Sequence, residues 1–340
     1  MITDTIKQII MSVAENHKSL GEVNLPPARV YHHIEDQMSF TLWEFEHEKS
    51  EFSIYRFSQN KSPFLLHTTF FPGQPSALHQ HDYIELMYVV QGEFSQNIAG
   101  KDFHFHRNDV VFVNHGIMHY DYLNGNGACV LFLDIPDSLF IRLFQKSIYS
   151  PYKYFLADLL MEHRSDYTHL HGSLKPQAAS VEETQSDISL AEIIREIVSP
   201  APGSAQIING HLIRLIYQLA LEYRFDLAPY SQEDMRRLLF DEIKSDIQRD
   251  CCNITIEHLQ DKYYYNRNYF NYLIKEQSGM TFQELRQSIR LEEAAKLLLE
   301  TDTNIDDIAR IVGYDNLGFF YRLFNARYGV TPRKYRLCNR

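Results

Sequence analysis

"FNYLIKEQSGMTFQELR" (270–286) and "FYRLFNARYGVTPRKYR" (320–336) carry one pattern twice. At a shift of 50 residues Phe270 falls on Phe320, Leu273 on Leu323, Gly279 on Gly329, Thr281 on Thr331 and Arg286 on Arg336. Upstream, "ITIEHLQDKYYYNRN" (254–268) pairs with "TNIDDIARIVGYDNL" (303–317) at a shift of 49, so one residue is inserted in a turn. Each copy predicts a short helix, a tight turn and a second helix closed by a glycine in the left-handed conformation. Ile256 and Leu259, like Ile305 and Ile308, form the first helix's apolar stripe, and Leu273 and Ile274, like Leu323 and Phe324, form the second's. Two helix-turn-helix units in tandem point to a reader of two DNA grooves, although paired helical hairpins also build bundles that touch no nucleic acid.

The charge distribution bears on that choice. The chain of 340 residues has a net charge of −11, but residues 241–340 hold 15 basic and 15 acidic residues, so the first 240 carry the whole excess. Residues 321–340 contain six basic residues and no acid. That end is either a phosphate-facing surface or a solvated tail.

Outward from the repeat the pattern changes. Residues 62–135 hold short runs rich in β-branched and aromatic residues, "FLLHTTFF", "IELMYVV", "EFSQNIA", "DVVFV" and "CVLFLDI", with turns at "QG", "AG" and "NGNG". Such spacing without helices predicts a sandwich or barrel. From 137 to 231 apolar residues recur at three- and four-residue intervals, predicting a helical connector with a polar loop over 171–187. Its segment "HLIRLIYQLALEYR" offers Leu212, Ile213, Ile216, Leu219 and Leu221 as a wide apolar face, either a dimer contact or packing on the barrel. The first residues read as an amphipathic helix with acids and no signal-peptide core, followed by lead-in strands up to residue 59. Four cysteines without paired spacing fit a reducing compartment, and no 18-residue apolar window predicts a membrane span. The expectation is a soluble, cytoplasmic protein.

"RLEEAAKLLLETDTNIDDIARIVGYDNLGFFYRLFNARYGVTPRKYR" (290–336) resembles the signature of the arabinose-regulator (AraC/XylS) family of bacterial transcription factors, a resemblance that covers roughly residues 235–340. It implies seven helices, with a long helix at about 282–299 holding two helix-turn-helix units. It also implies base-reading positions at Asn268, Asn271 and Tyr272 in the first unit and at Leu317, Gly318, Tyr321 and Arg322, beside Asn316, in the second. Asn pairs with adenine and Arg forks onto guanine. Lys275, Arg327, Arg333 and Lys334 would meet phosphates. Tyr272 stands where arginine is frequent, and Leu317–Gly318 where longer polar residues are common.

"GQPSALHQHDYIELMYVVQG" (73–92) resembles the first cupin motif at Gly73, His79, His81, Glu85 and Gly92. His119 occupies the histidine position of the second, although Asn114 replaces its usual proline. Three imidazoles and a carboxylate suit iron, manganese, nickel or zinc. In sensory domains of the resembled family a similar string faces a small organic effector, and that reading is taken here: His79, His81, Glu85 and His119 bind an effector, a sugar or related metabolite. His32 and His33, and His169 and His171, are expected at the surface.

The expected class is therefore α+β: lead-in 1–59, cupin-like barrel 60–136, helical connector 137–231 and an all-α double helix-turn-helix domain 232–340. The expected function is an effector-modulated regulator that binds double-stranded DNA as a homodimer, with no catalysis, no cofactor and no membrane partner. Two alternatives remain open: a cupin metalloenzyme with an accessory nucleic-acid module, and a constitutive DNA binder with a purely structural cupin.

Overall fold

Strand β6 (Tyr83–Ile98) organises the first part of the chain, because nearly every one of its side chains is buried. Ile84, Leu86, Tyr88 and Val90 join one apolar cluster, while Met87 and Val89 join another on the opposite face. A strand covered on both faces reads as a continuous apolar run rather than an alternating one. The computed structural model describes residues 8–9, 31–32, 34, 37–46, 51–58, 63–69, 75–122, 127–144, 155–162, 167–179, 183–263 and 265–339. The expected N-terminal helix falls mostly outside these residues, as do His33 and Gly73.

Among the described residues ten strands form one sheet around β6. Its order is β12 (Tyr223–Pro229), β11 (Tyr167–Leu174), β8 (Val110–Val113), β6, β10 (Ala128–Pro136), β2 (Ser39–Glu46), β3 (Glu51–Ser58) and β4 (Phe64–Thr69). The far half of β6 pairs instead with β7 (Lys101–His106) and β9 (His119–Tyr122). The predicted turn at "QG" is no turn: Gly92 bends one continuous strand between these two sets of partners, with φ of 78°. A Cβ there would lie 2.1 Å from the Gly127 carbonyl oxygen, so no other residue fits. The expected turn at "AG" does form, with Ala99 at φ 54° and Gly100 at φ 83° joining β6 to β7. The fold-back encloses Phe94, Phe105, Val111 and Phe132. Strands β1 (Tyr31–His32) and β5 (Gln80–His81) form a separate parallel pair.

Helices α1 (Asp137–Phe144), α2 (Phe155–Glu162), α3 (Pro176–Ala179), α4 (Gln185–Val198) and α5 (Ser204–Glu222) follow. A capping box between Thr184 and Asp187 starts α4 inside the stretch expected to be loop. The connector is not wholly helical. Strands β11 and β12 pair along seven register positions and extend the sheet from β8, so helical periodicity gave way to sheet pairing. The apolar face of α5 goes inward: Leu212, Ile216 and Leu219 are at most 2% exposed in the first core, while Leu221 is 53% exposed. That stripe therefore serves the chain's own core and not a dimer surface.

The chain divides into two units, Met1–Met235 and Arg236–Arg340. The boundary lies within α6 (Gln232–Arg249), after which come α7 (Ile256–Tyr263), α8 (Arg267–Ser278), α9 (Phe282–Glu300), α10 (Ile305–Ile311), α11 (Leu317–Tyr328) and α12 (Pro332–Asn339). These are the seven helices that the resemblance implied. Gly279 and Gly329 close α8 and α11 at φ of 72° and 71°.

Candidate functional site

The repeat in sequence is also a repeat in contacts. Arg286 Nη1 donates to the Ile254 carbonyl at 2.8 Å, and Arg336 Nη2 donates to the Thr303 carbonyl at 2.7 Å. Ile254 and Thr303 are themselves equivalent under the shift of 49, so each unit fastens the start of its first helix with the same arginine. Asn266 and Asn316 cap α8 and α11, each accepting at 2.9 Å from the backbone N–H three residues on. Between the units, Arg290 on α9 donates to the carbonyls of Cys251 (2.7 Å), Cys252 (2.8 Å) and Gly313 (3.0 Å). This fork ties the approach to the first unit to the turn of the second, a bridge that the sequence did not disclose.

On α8, Asn268, Asn271 and Tyr272 are exposed, while Phe270, Leu273 and Ile274 hold the helix to its core. Tyr272 donates its hydroxyl to Glu276 at 2.8 Å, and Arg236 grips the same carboxylate. On α11, Gly318 and Arg322 are exposed; Leu317 and Tyr321 are partly buried against the second unit's core. Asn316 spends its side-chain oxygen on the cap, which leaves only its amide N–H groups to face a base.

The four expected phosphate contacts are all exposed. Lys275 donates to the Gly279 carbonyl at the end of α8, and Arg327 is held by Ser288 and Glu292 of α9, so both are positioned by the protein. Sequence reasoning missed Phe319. It is 42% exposed and lies under Arg322, whose guanidinium carbon is 5.7 Å from the ring centroid. An aromatic three residues before an arginine on an exposed helix face was the available signal.

In the first unit, His79 and His119 exchange two backbone hydrogen bonds of 2.9 Å, which brings their rings to 4.1 Å between centroids. The ligand atoms of His79, Glu85 and His119 all lie within 4.8 Å of one another. His81 stands beside them, its Nε2 3.9 Å from Glu85. Each of the three imidazoles turns Nδ1 to a backbone carbonyl: His79 to Ala77 (3.0 Å), His81 to Tyr83 (2.8 Å) and His119 to Ile117 (2.9 Å). A carbonyl only accepts, so Nδ1 carries the proton and Nε2 keeps the lone pair. Loss of water, reinforced by His119, holds His79 down to about 4, and burial lowers His119. Burial pushes Glu85 up to about 8 against the pull of His79. The structure brings all four expected residues together, in a mostly neutral cluster. It places His169 elsewhere: this residue, expected at the surface, is 1% exposed on β11, because the unforeseen strand carries it inward.

Residues 66–136 match the family model described as a cupin domain, and residues 259–337 match that of a helix-turn-helix domain. Over 65 residues the chain is 40% identical to the virulence regulon transcriptional activator VirF of Shigella flexneri, which covers 19% of this chain and 25% of that protein. Over 89 residues it is 32% identical to the xylose operon regulatory protein of Escherichia coli (strain K12), covering 26% and 23%. The matches thus span about a quarter of these relatives. Among solved structures, the C-terminal domain of AraT, a response regulator from Geobacillus stearothermophilus, is 33% identical, with 29% of this chain and 84% of that chain covered at a TM-score of 0.28. Along the chain, a stretch similar to a cupin domain is thus followed by one similar to a helix-turn-helix domain.

Proposed function

We propose that this protein is a transcription regulator that binds double-stranded DNA in the cytoplasm and answers to a small molecule held in its first unit. One observation carries the reading: two equivalent helix-turn-helix units, fastened by the same arginine contact and stitched by Arg290, each leave a polar helix face exposed. Two such faces suit successive major grooves about one helical turn apart. The transcriptional roles of the two relatives agree with this, although each match spans a quarter of the relative. Footprinting on genomic fragments tests it. Protection of two segments about ten base pairs apart supports the reading, and uniform, salt-limited binding to every fragment overturns it.

A second reading concerns the histidine cluster, where a divalent cation is favoured over an organic effector. Among the described residues the Glu85 Oε1 and His119 Nε2 atoms, 3.6 Å apart, are buried without a hydrogen-bond partner, which is costly unless something fills the centre. Backbone carbonyls fix the imidazole tautomers as they do for metal ligands. His79, Glu85 and His119 would hold the ion, with His81 alongside, and the ion would supply a fixed positive charge that pins the strands together. The cluster's service to folding does not require catalysis, and the attached DNA reader argues for a sensor. Chelator should lower the melting temperature of the wild type and leave that of His119→Ala unmoved.

A further inference from the structure

The β6–β7 hairpin does not close onto the two strands that the sequence failed to announce. Between them lies a cleft of about 350 Å3, wholly within the first unit and separate from the four-residue histidine cluster. Its walls include Ile98, Phe103, His169, Leu227, Ala228 and Pro229. His169 stands edge-on to Phe103, with 4.4 Å between centroids, and its Nδ1 is 3.1 Å from the Thr168 hydroxyl. Burial and the neighbouring His171 hold this imidazole down to about 3, so it is uncharged at neutral pH. At the rim, Lys101 Nζ meets Asp234 at 2.7 Å, each cancelling the other's charge. Asp234 belongs to the first turn of α6, the helix that continues by chain connectivity into the second unit.

We infer that this cleft is the ligand site of the first unit, and that it takes a small uncharged aromatic molecule bearing one hydroxyl, of the phenol class. The inference rests on the regulator reading for its purpose but not for its chemistry. The volume lies at the lower end of small-molecule sites. Ile98, Phe103, Leu227, Ala228 and Pro229 offer a ring an apolar bed, and one hydroxyl can find the polar edge at Thr168 and His169. An anion would have to compete with Asp234 for Lys101, and a cation would compete with Lys101 for Asp234. An aromatic ring of this size packs against Phe103. A ligand seated here also lies against the rim pair that fastens the start of α6 to β7.

The full-length protein would be titrated with phenol and benzyl alcohol, using xylose and benzoate as comparisons, with calorimetry and melting as readouts. Saturable binding of an aromatic alcohol, weakened roughly tenfold by Phe103→Ala and abolished by the cleft-filling Ala228→Trp, is expected. Ala228 sits on an edge strand, so a melting curve like that of wild type certifies the variant's fold, and Phe103→Ala gives an independent measure. No binding by either alcohol, stronger binding by xylose or benzoate, or equal binding by a folded Ala228→Trp protein would overturn the inference. DNA affinity measured with and without the alcohol separates the two readings. Binding in the cleft that leaves DNA affinity unchanged sustains the site and removes ligand control of DNA binding.

Discussion

Arg322 on α11 and Asn316, its N-cap, have different duties. Arg322 is exposed and lies against the Phe319 ring, so its donors are available to a base edge. Arg322→Ala should weaken specific binding by about 1–3 kcal/mol and affect random DNA far less; equal losses on both would remove its base-reading role. Asn316→Ala should instead lower stability by about 1 kcal/mol through the lost cap, as urea unfolding would report. Glu85 permits a test by pH. In chelator-treated protein its folded pKa, pushed from 4.5 to about 8, means that the fold retains a proton that the unfolded chain releases across that window. Its contribution is complete below pH 4.5 and is lost as pH rises towards 8. His79, lowered from 6.5 to about 4, acts oppositely between those values and is silent above 6.5. Between pH 6.5 and 8 the wild type should therefore lose stability, by up to about 2 kcal/mol, and Glu85→Gln should lose clearly less, keeping only the share of buried Asp134, which is raised to about 7. A flat wild-type melting profile over that range would count against the buried, protonated carboxyl.

At the scale of elements, the second unit depends on α9 as much as on its two helix-turn-helix pairs. Arg290 satisfies three carbonyls from two different turns, and Gly313 passes so close that a Cβ would lie 2.9 Å from the Arg290 guanidinium carbon. Arg290→Ala should cost about 3 kcal/mol, because three partly buried carbonyls lose a charged donor together. Arg290→Lys should restore little of this, since an ammonium cannot reproduce the fork. Thermal unfolding of the two variants would check both statements; a lysine variant as stable as wild type would mean that charge alone suffices. The helices of this unit were legible because Ile256, Leu259, Leu273 and Ile274 repeat at helical spacing and Gly279 and Gly329 mark the ends. Strands β11 and β12 were not. "YTHLHGSL" has polar residues on both faces, and "YRFDLAP" continues a helical pattern without a breaker. Their conformation is decided by a partner strand that lies far away in sequence.

For the whole molecule, the division at Met235 predicts that residues 232–340 fold alone, because the apolar clusters of that part draw on its own helices. The isolated fragment should unfold cooperatively and bind a footprinted site more weakly than the full chain, as expected where the first unit supplies a second reader through self-association. Gel-shift titration of both proteins checks this, and equal affinity would leave the first unit no part in pairing. The face of α5 once available for such pairing is used internally, so self-association would require another surface. The sequence by itself determined the α+β class, the two paired helix-turn-helix units, and the convergence of His79, His81, Glu85 and His119, while the seven helices came from the family resemblance. These follow from local periodicity, glycine conformation and motif spacing, all of which are written along the chain. Only the tertiary structure decided that β11 and β12 extend the sheet, that His169 is buried beside a cleft, that Arg290 joins two turns, and that α5 turns its apolar face inward. Each of these depends on which distant segment lies opposite, and burial and pairing between such segments leave no local pattern to read.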